Sequence, residues 1–201
     1  MKTKEITVTV TLTEEMLGMQ PSDPEITDRF IASNAPNAKS RTEEIKAIGV
    51  EAMQEKSKTI FPKLADGTPF VWDYQIKGFF KDACGCLARI KGMTESSKLK
   101  AYKKIIDGLI FVKERKVPII MPIGEAIGTC QRPLRAQTMQ GERVALASSE
   151  TVPEGSMLTF TIQLLDENLE PVVHEWLEYG ALRGFGQWRN SGKGKFTYKV
   201  E

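Results

Sequence analysis

The sequence predicts an α+β domain, an antiparallel sheet with two helices packed on one face and a helical insertion. Three observations lead there. Ile6, Val8, Val10 and Leu12 alternate with Thr7, Thr9 and Thr11, and Leu158, Phe160, Ile162 and Leu164 repeat that alternation late in the chain. Two other stretches carry apolar stripes at spacings of three and four. Alternation marks a half-buried strand, and the three-four spacing marks an amphipathic helix.

Taken in order, residues 4–12 form the first strand. After Gly18, the segment MQPSDPEITDRFIASNAPNAKSR scatters prolines among Ser, Asn and Asp and reads as a long loop. Thr42 and its acidic neighbours open EEIKAIGVEAMQEK, a helix ending near Lys58. In TIFPKLADGTPFVW, Asp66-Gly67 suggests a hairpin whose strands Pro62 and Pro69 confine to sheet edges. Gln75 to about Ile90 is a helix burying Ile76, Phe79, Phe80, Ala83, Cys84 and Leu87, in which Gly78 and Gly85 call for a close neighbour. A second helix runs from about Ser96 to Gly108, followed by short strands in LIFVK and VPIIM. TCQRPLRAQTM and RVALASSE form a hairpin around Gln140-Gly141-Glu142. Arg132 and Arg135 fall on opposite strand faces there unless a bulge at Pro133 intervenes. MLTFTIQLL is a strand, and the helix LEPVVHEWLEYGAL follows Asn168. KFTYKV closes the chain as a strand. This succession is the ferredoxin-like one, with a core over about 3–12 and 74–200 and insertions over about 13–73 and 92–125 in a single domain.

Composition narrows the function classes. The 201 residues suit one full core, and a formal net charge of +2 makes any basic patch local rather than global. No apolar run approaches the roughly 18 residues of a membrane span, so no membrane partner is expected and the chain reads as cytoplasmic. Three cysteines without a paired CxxC array, beside one histidine, point to reduced thiols and to no metal site.

One segment asks for a ligand. Between the last helix and last strand, Gly184, Gly186, Gly192 and Gly194 alternate with Arg183, Arg189, Lys193 and Lys195, and Trp188 stands in the middle. Glycine lets backbone N–H groups approach an anion, cations supply charge, and an aromatic ring stacks on a base. The competing reading is a flexible helix-to-strand connection with surface charge.

Taken together, YQIKGFFKDACGCLA, VPEGSMLTFTIQLL and EYGALRGFGQWRNSGKGKF resemble the RAMP superfamily, CRISPR-associated backbone and processing proteins that bind RNA on a ferredoxin-like fold. The match lies in Tyr74 to Ala83 around Lys77-Gly78, in Val152 to Ser156 before an inner strand, and in the glycine-rich run from Gly180 to Gly194. Asp73, Tyr74 and Gln75 replace the family's usual serines, and the resemblance is that of a diverged, stand-alone relative. It implies binding of single-stranded RNA or DNA, RNA favoured, through an RRM-like open sheet face and the loop, with Lys77, Arg183, Gly184, Gly186, Trp188, Arg189, Gly192, Lys193, Gly194 and Lys195 as binding residues.

RNA-cutting relatives use a histidine as general acid or base, which would make this chain a metal-independent endoribonuclease. His174 is the sole candidate, and at the edge of an apolar stripe it reads as structural, so no catalytic residue and no cofactor are expected. A nucleotide or cyclic-nucleotide binder and a structural subunit of a homo-oligomer stay open as alternatives.

Overall fold

The computed structural model describes residues 3–22, 58–138 and 141–201. The helix expected over 42–58 and most of the loop before it lie outside them. The chain divides into two units, one of residues 1–16, 62–126 and 152–201, the other of 17–61 and 127–151.

The first unit is built on a six-stranded sheet. Its strands are β1 (Lys4–Leu12), β5 (Phe70–Trp72), β6 (Ile110–Val112), β7 (Lys116–Ile120), β10 (Met157–Leu164) and β11 (Phe196–Val200). They run in the order β11-β1-β10-β7-β5, with β6 also paired to β10. The ladders are antiparallel, and in β1 the register sets Val8 opposite Phe160 and Val200, and Thr9 opposite Thr159 and Lys199. Because side chains alternate across a strand, this register sends all the buried aliphatics of β1 and β10 to one face and their threonines to the other.

Two helices cover the apolar face. In α1 (Asp73–Leu87), Gln75 reaches back to accept the Trp72 N–H, and Ile76, Phe79, Phe80, Ala83 and Cys84 are buried. A later helix, α3 (Glu170–Arg183), follows a 3-10 turn over Glu167–Leu169 and buries Val172, Val173, Trp176 and Leu177. Phe80 and Trp176 meet with ring centroids 5.4 Å apart, and Phe79 lies 5.5 Å from Phe196 and 6.0 Å from Phe185. Each such side chain fully buried contributes about 1.5–3 kcal/mol, so this helix–sheet seam dominates the unit's stability. Trp176 donates its indole N–H to Ser96 Oγ, whose backbone N–H is taken by the Glu175 carboxylate, so the polar groups at the end of the seam are satisfied.

The second predicted helix is shorter than its lysine-rich pattern suggests. A 3-10 turn at Ser96–Lys98 and α2 (Tyr102–Leu109) are separated by Ala101, whose φ of 52° is left-handed. Gly85 has its reason here, since a Cβ on it would stand 2.9 Å from Tyr102 Oη, whereas Gly78 faces open space.

The hairpin expected over 59–72 reduces to its turn. The Thr68 N–H donates to Asp66 Oδ1 and a single bridge joins Lys63 to Pro69, but Phe70–Trp72 pairs with β7 instead of with Thr59–Ile60.

The second unit is organised on β8 (Gly128–Thr138) and β9 (Gly141–Val152), the predicted long hairpin. Its register runs unbroken from Gly128 opposite Thr151 to Thr138 opposite Gly141, so there is no bulge at Pro133. At Thr59, β4 (Thr59–Ile60) pairs parallel with β9 and antiparallel with β3 (Gln20–Pro21). Gly18 allows the close approach of Ile60, whose carbonyl carbon would lie 2.6 Å from an added Cβ.

Candidate nucleic-acid interface

The glycine-rich segment is an ordered corner. Gly184 ends α3 with a φ of 77° and donates its N–H to Gly180 O. The Phe185 N–H then goes to Gly194 O, and the Gly194 N–H goes to Glu15 O, each at 2.8 Å. Added Cβ atoms would fall 2.4 Å from Lys193 O at Gly184, 1.8 Å from Phe185 O at Gly194 and 1.9 Å from the Phe196 ring at Gly180. Glycine is therefore required here by packing and left-handed backbone. The Gly192 N–H is donated as well, to Arg189 O. The amides of Gly184, Gly192 and Gly194 thus close the corner on itself.

Those side chains converge on α1. Asp82 Oδ2 accepts from Arg183 Nε at 3.2 Å and from Arg189 Nη1 at 2.6 Å, and Arg183 also donates to Asn190 Oδ1 at 2.7 Å. The Asp82 bond raises the Arg183 pKa further above its ordinary value, so this guanidinium is charged at any working pH. Lys193 pairs with Glu15 at 2.6 Å. Lys195 and Lys199 meet no carboxylate among the described residues. Arg183, Gly186, Gln187, Trp188, Arg189 and Asn190 line an open depression. Trp188 sits at its rim, 38% exposed and held at a φ of 54° that a bulky residue rarely adopts. Strain of that kind, about 1–3 kcal/mol, persists only where the surroundings fix it.

Lys77 is not part of this group. It lies on the flank of α1 facing α2, where its ammonium donates to Asp107 O at 3.2 Å and sits 4.9 Å from the Phe111 ring. Burial lowers its pKa, with Asp107 opposing. His174 Nδ1 lies 3.3 Å from Tyr198 Oη, a packing contact between α3 and β11 at the edge of the apolar stripe. Burial raises the Tyr198 pKa.

The face of the sheet turned away from α1 and α3 carries Thr7, Thr9 and Thr11, then Thr159 and Thr161, then Thr197 and Lys199. It is a polar, hydroxyl-rich surface, with Thr9 Oγ1 and Thr159 Oγ1 3.1 Å apart. At its far edge stands a group that sequence reasoning missed. The near-parallel rings of Trp72 and Tyr74 have centroids 6.2 Å apart, and the Arg115 guanidinium lies 5.2 Å from the first and 5.6 Å from the second. The WDY phrase at a helix start was the available signal, since Tyr74 belongs to no apolar stripe. Arg115 is 41 positions from Tyr74 and is brought to it by the β5–β7 pairing and by its bonds to Asp73. Among the described residues no cluster of His, Cys, Asp and Glu suits a metal, and no helix is long and apolar enough to cross a membrane. An apolar void of about 20 Å³ between sheet and helices is too small for any organic ligand.

An antiparallel sheet in the order β11-β1-β10-β7, with α1 and α3 on one face, is a ferredoxin-like fold. Solved structures share it. A chain of the Type III-B Cmr-beta complex bound to cognate target RNA superposes with a TM-score of 0.57 and 11% identity over 100% of this chain and 60% of that one. A chain of a Type IV-B CRISPR complex gives a TM-score of 0.50 and 11% identity over 98% and 90% of the two chains. This chain therefore spans about three fifths of the Cmr-beta chain's length. No family model and no curated protein matches the sequence.

Proposed function

We propose that this chain binds single-stranded nucleic acid, RNA in preference to DNA, through the corner from Arg183 to Lys195 and the threonine-rich sheet face, without chemistry of its own. The observation that carries this reading is the depression in which two guanidinium groups and the rim-exposed Trp188 face one opening. A guanidinium fork binds phosphate bidentately, and an indole accepts any base on its π face, which is the pairing that sequence-tolerant single-strand binders use. Lys195 and Lys199 extend the charge towards the sheet. The fold shared with a chain from an RNA-bound CRISPR assembly supports the same reading, and so supports a role as one subunit among several.

Fluorescence anisotropy with labelled single-stranded RNA, single-stranded DNA and a dinucleotide competitor, each at several salt concentrations, tests it. A strand binder gains affinity with oligomer length and loses it with salt at a slope of roughly −0.7 per phosphate neutralised. Saturation by the dinucleotide alone would indicate a nucleotide pocket, and no response to any of the three would leave a structural subunit.

A further inference from the structure

We infer that the opposite edge of the same sheet face holds a second, base-stacking subsite, formed by Trp72, Tyr74, Arg115 and Lys116 and filled by an unpaired nucleobase with its phosphate. This rests on the nucleic-acid reading and adds to it where the strand lies.

The register places the subsite. Lys199 is opposite Thr9, Thr9 opposite Thr159, Met157 opposite Ile120, and Lys116 opposite Trp72. Even spacing along each strand keeps all of these on one face of the sheet. Phe70 shares that face and packs edge-on against Trp72 at 4.9 Å, which anchors the indole. Lys116 Nζ stands 5.3 Å from the Phe70 ring and 5.7 Å from Trp72.

The cluster is built and exposed. Tyr74 is 53% exposed in the first turn of α1, where no core contact calls for an aromatic. The Arg115 side chain is 65% exposed although it pairs with Asp73. Two cations against one carboxylate leave a positive balance beside two near-parallel rings. That combination matches a base, which offers a π face, joined to a phosphate, which offers negative charge. A neutral sugar or an acidic peptide uses only half of it.

The distance across the face sets the occupant's length. Four strand spacings separate β11 from β5, about 19 Å at roughly 4.8 Å each. A stacked single strand advances about 3.4 Å per phosphate, so about six nucleotides join Lys199 to the Tyr74 ring.

The test measures labelled oligoadenylates of two, four and eight nucleotides against wild type, Tyr74→Ala, Tyr74→Phe and Arg115→Ala. Tyr74→Ala and Arg115→Ala are expected to weaken the octamer about tenfold or more, the scale of one base–aromatic contact, and to leave the dinucleotide unchanged. Tyr74→Phe keeps the ring and should keep octamer affinity. Unchanged octamer affinity in both alanine variants, while Arg189→Ala weakens it, would overturn this subsite and leave the proposed function standing. A wild-type protein that binds none of the three oligomers would overturn both.

Discussion

Removing the Asp82 charge separates a corner that merely folds from one that receives phosphate. Asp82 Oδ2 holds both Arg183 and Arg189, and its side chain is 28% exposed while theirs are 25%. Hydrogen bonds to charged groups contribute about 1.5–3 kcal/mol when buried and exposed ion pairs about 0.2–1 kcal/mol. At this intermediate exposure, and with the amide still able to accept one bond, Asp82→Asn should destabilise the protein by about 1–2 kcal/mol. For a chain of this size that lowers Tm by about 2–8 °C in a thermal melt. Binding should move the other way. The carboxylate competes with phosphate for the two guanidinium groups, so the folded variant should hold single-stranded RNA several-fold more tightly, with a salt slope steeper by about 0.7. Arg189→Ala, by contrast, should lose stability and affinity together. If folded Asp82→Asn binds more weakly with an unchanged slope, the guanidinium groups do not meet phosphate and the argument for this site fails.

The remaining expectations concern single residues. Gly194→Ala forces a side chain into a φ of 71° with its Cβ 1.8 Å from Phe185 O, and should cost at least about 3 kcal/mol in denaturant unfolding. Gly78→Ala, in a helix and facing open space, should instead stabilise by up to about 1 kcal/mol in the same assay. Trp188→Ala should weaken oligonucleotide binding by about 1–3 kcal/mol in anisotropy titrations while Tm moves by only a few degrees, because a ring 38% exposed gives up little packing and alanine keeps the same left-handed backbone cost. His174→Ala should leave RNA affinity within about twofold, and a loss of RNA cleavage in the folded variant would contradict its structural role.

The long periodic elements were legible because burial imposes the period directly. The strands at 4–12 and 157–164 and the stripes of α1 and α3 each bury one face, and hydrophobicity records which. Elements whose partners are remote were less legible. Phe70–Trp72 sits beside an Asp-Gly turn and local rules pair it across that turn, yet its ladder is with Lys116–Ile120, more than forty residues on. The lysine-rich stretch after Ser96 was broken by one left-handed alanine, a conformation that alanine's sequence identity does not announce.

The glycine-rich corner shows why composition alone under-determines a site. Glycine serves two ends that look identical in sequence, giving a ligand access to backbone amides and giving the chain room to turn tightly against itself. Here the second use dominates at Gly180, Gly184 and Gly194, because Phe196, Lys193 O and Phe185 O occupy the space a Cβ would need. A corner so tightly closed suits the proposed binding surface, since it holds Arg183, Arg189 and Trp188 around one opening and would leave little to order when a strand binds. The glycines then act on affinity only through position. Gly194→Ala should therefore weaken binding in proportion to the unfolded fraction, whereas Trp188→Ala should weaken it in molecules that remain folded, and measuring affinity per folded molecule in the two variants distinguishes a backbone cradle from a side-chain one.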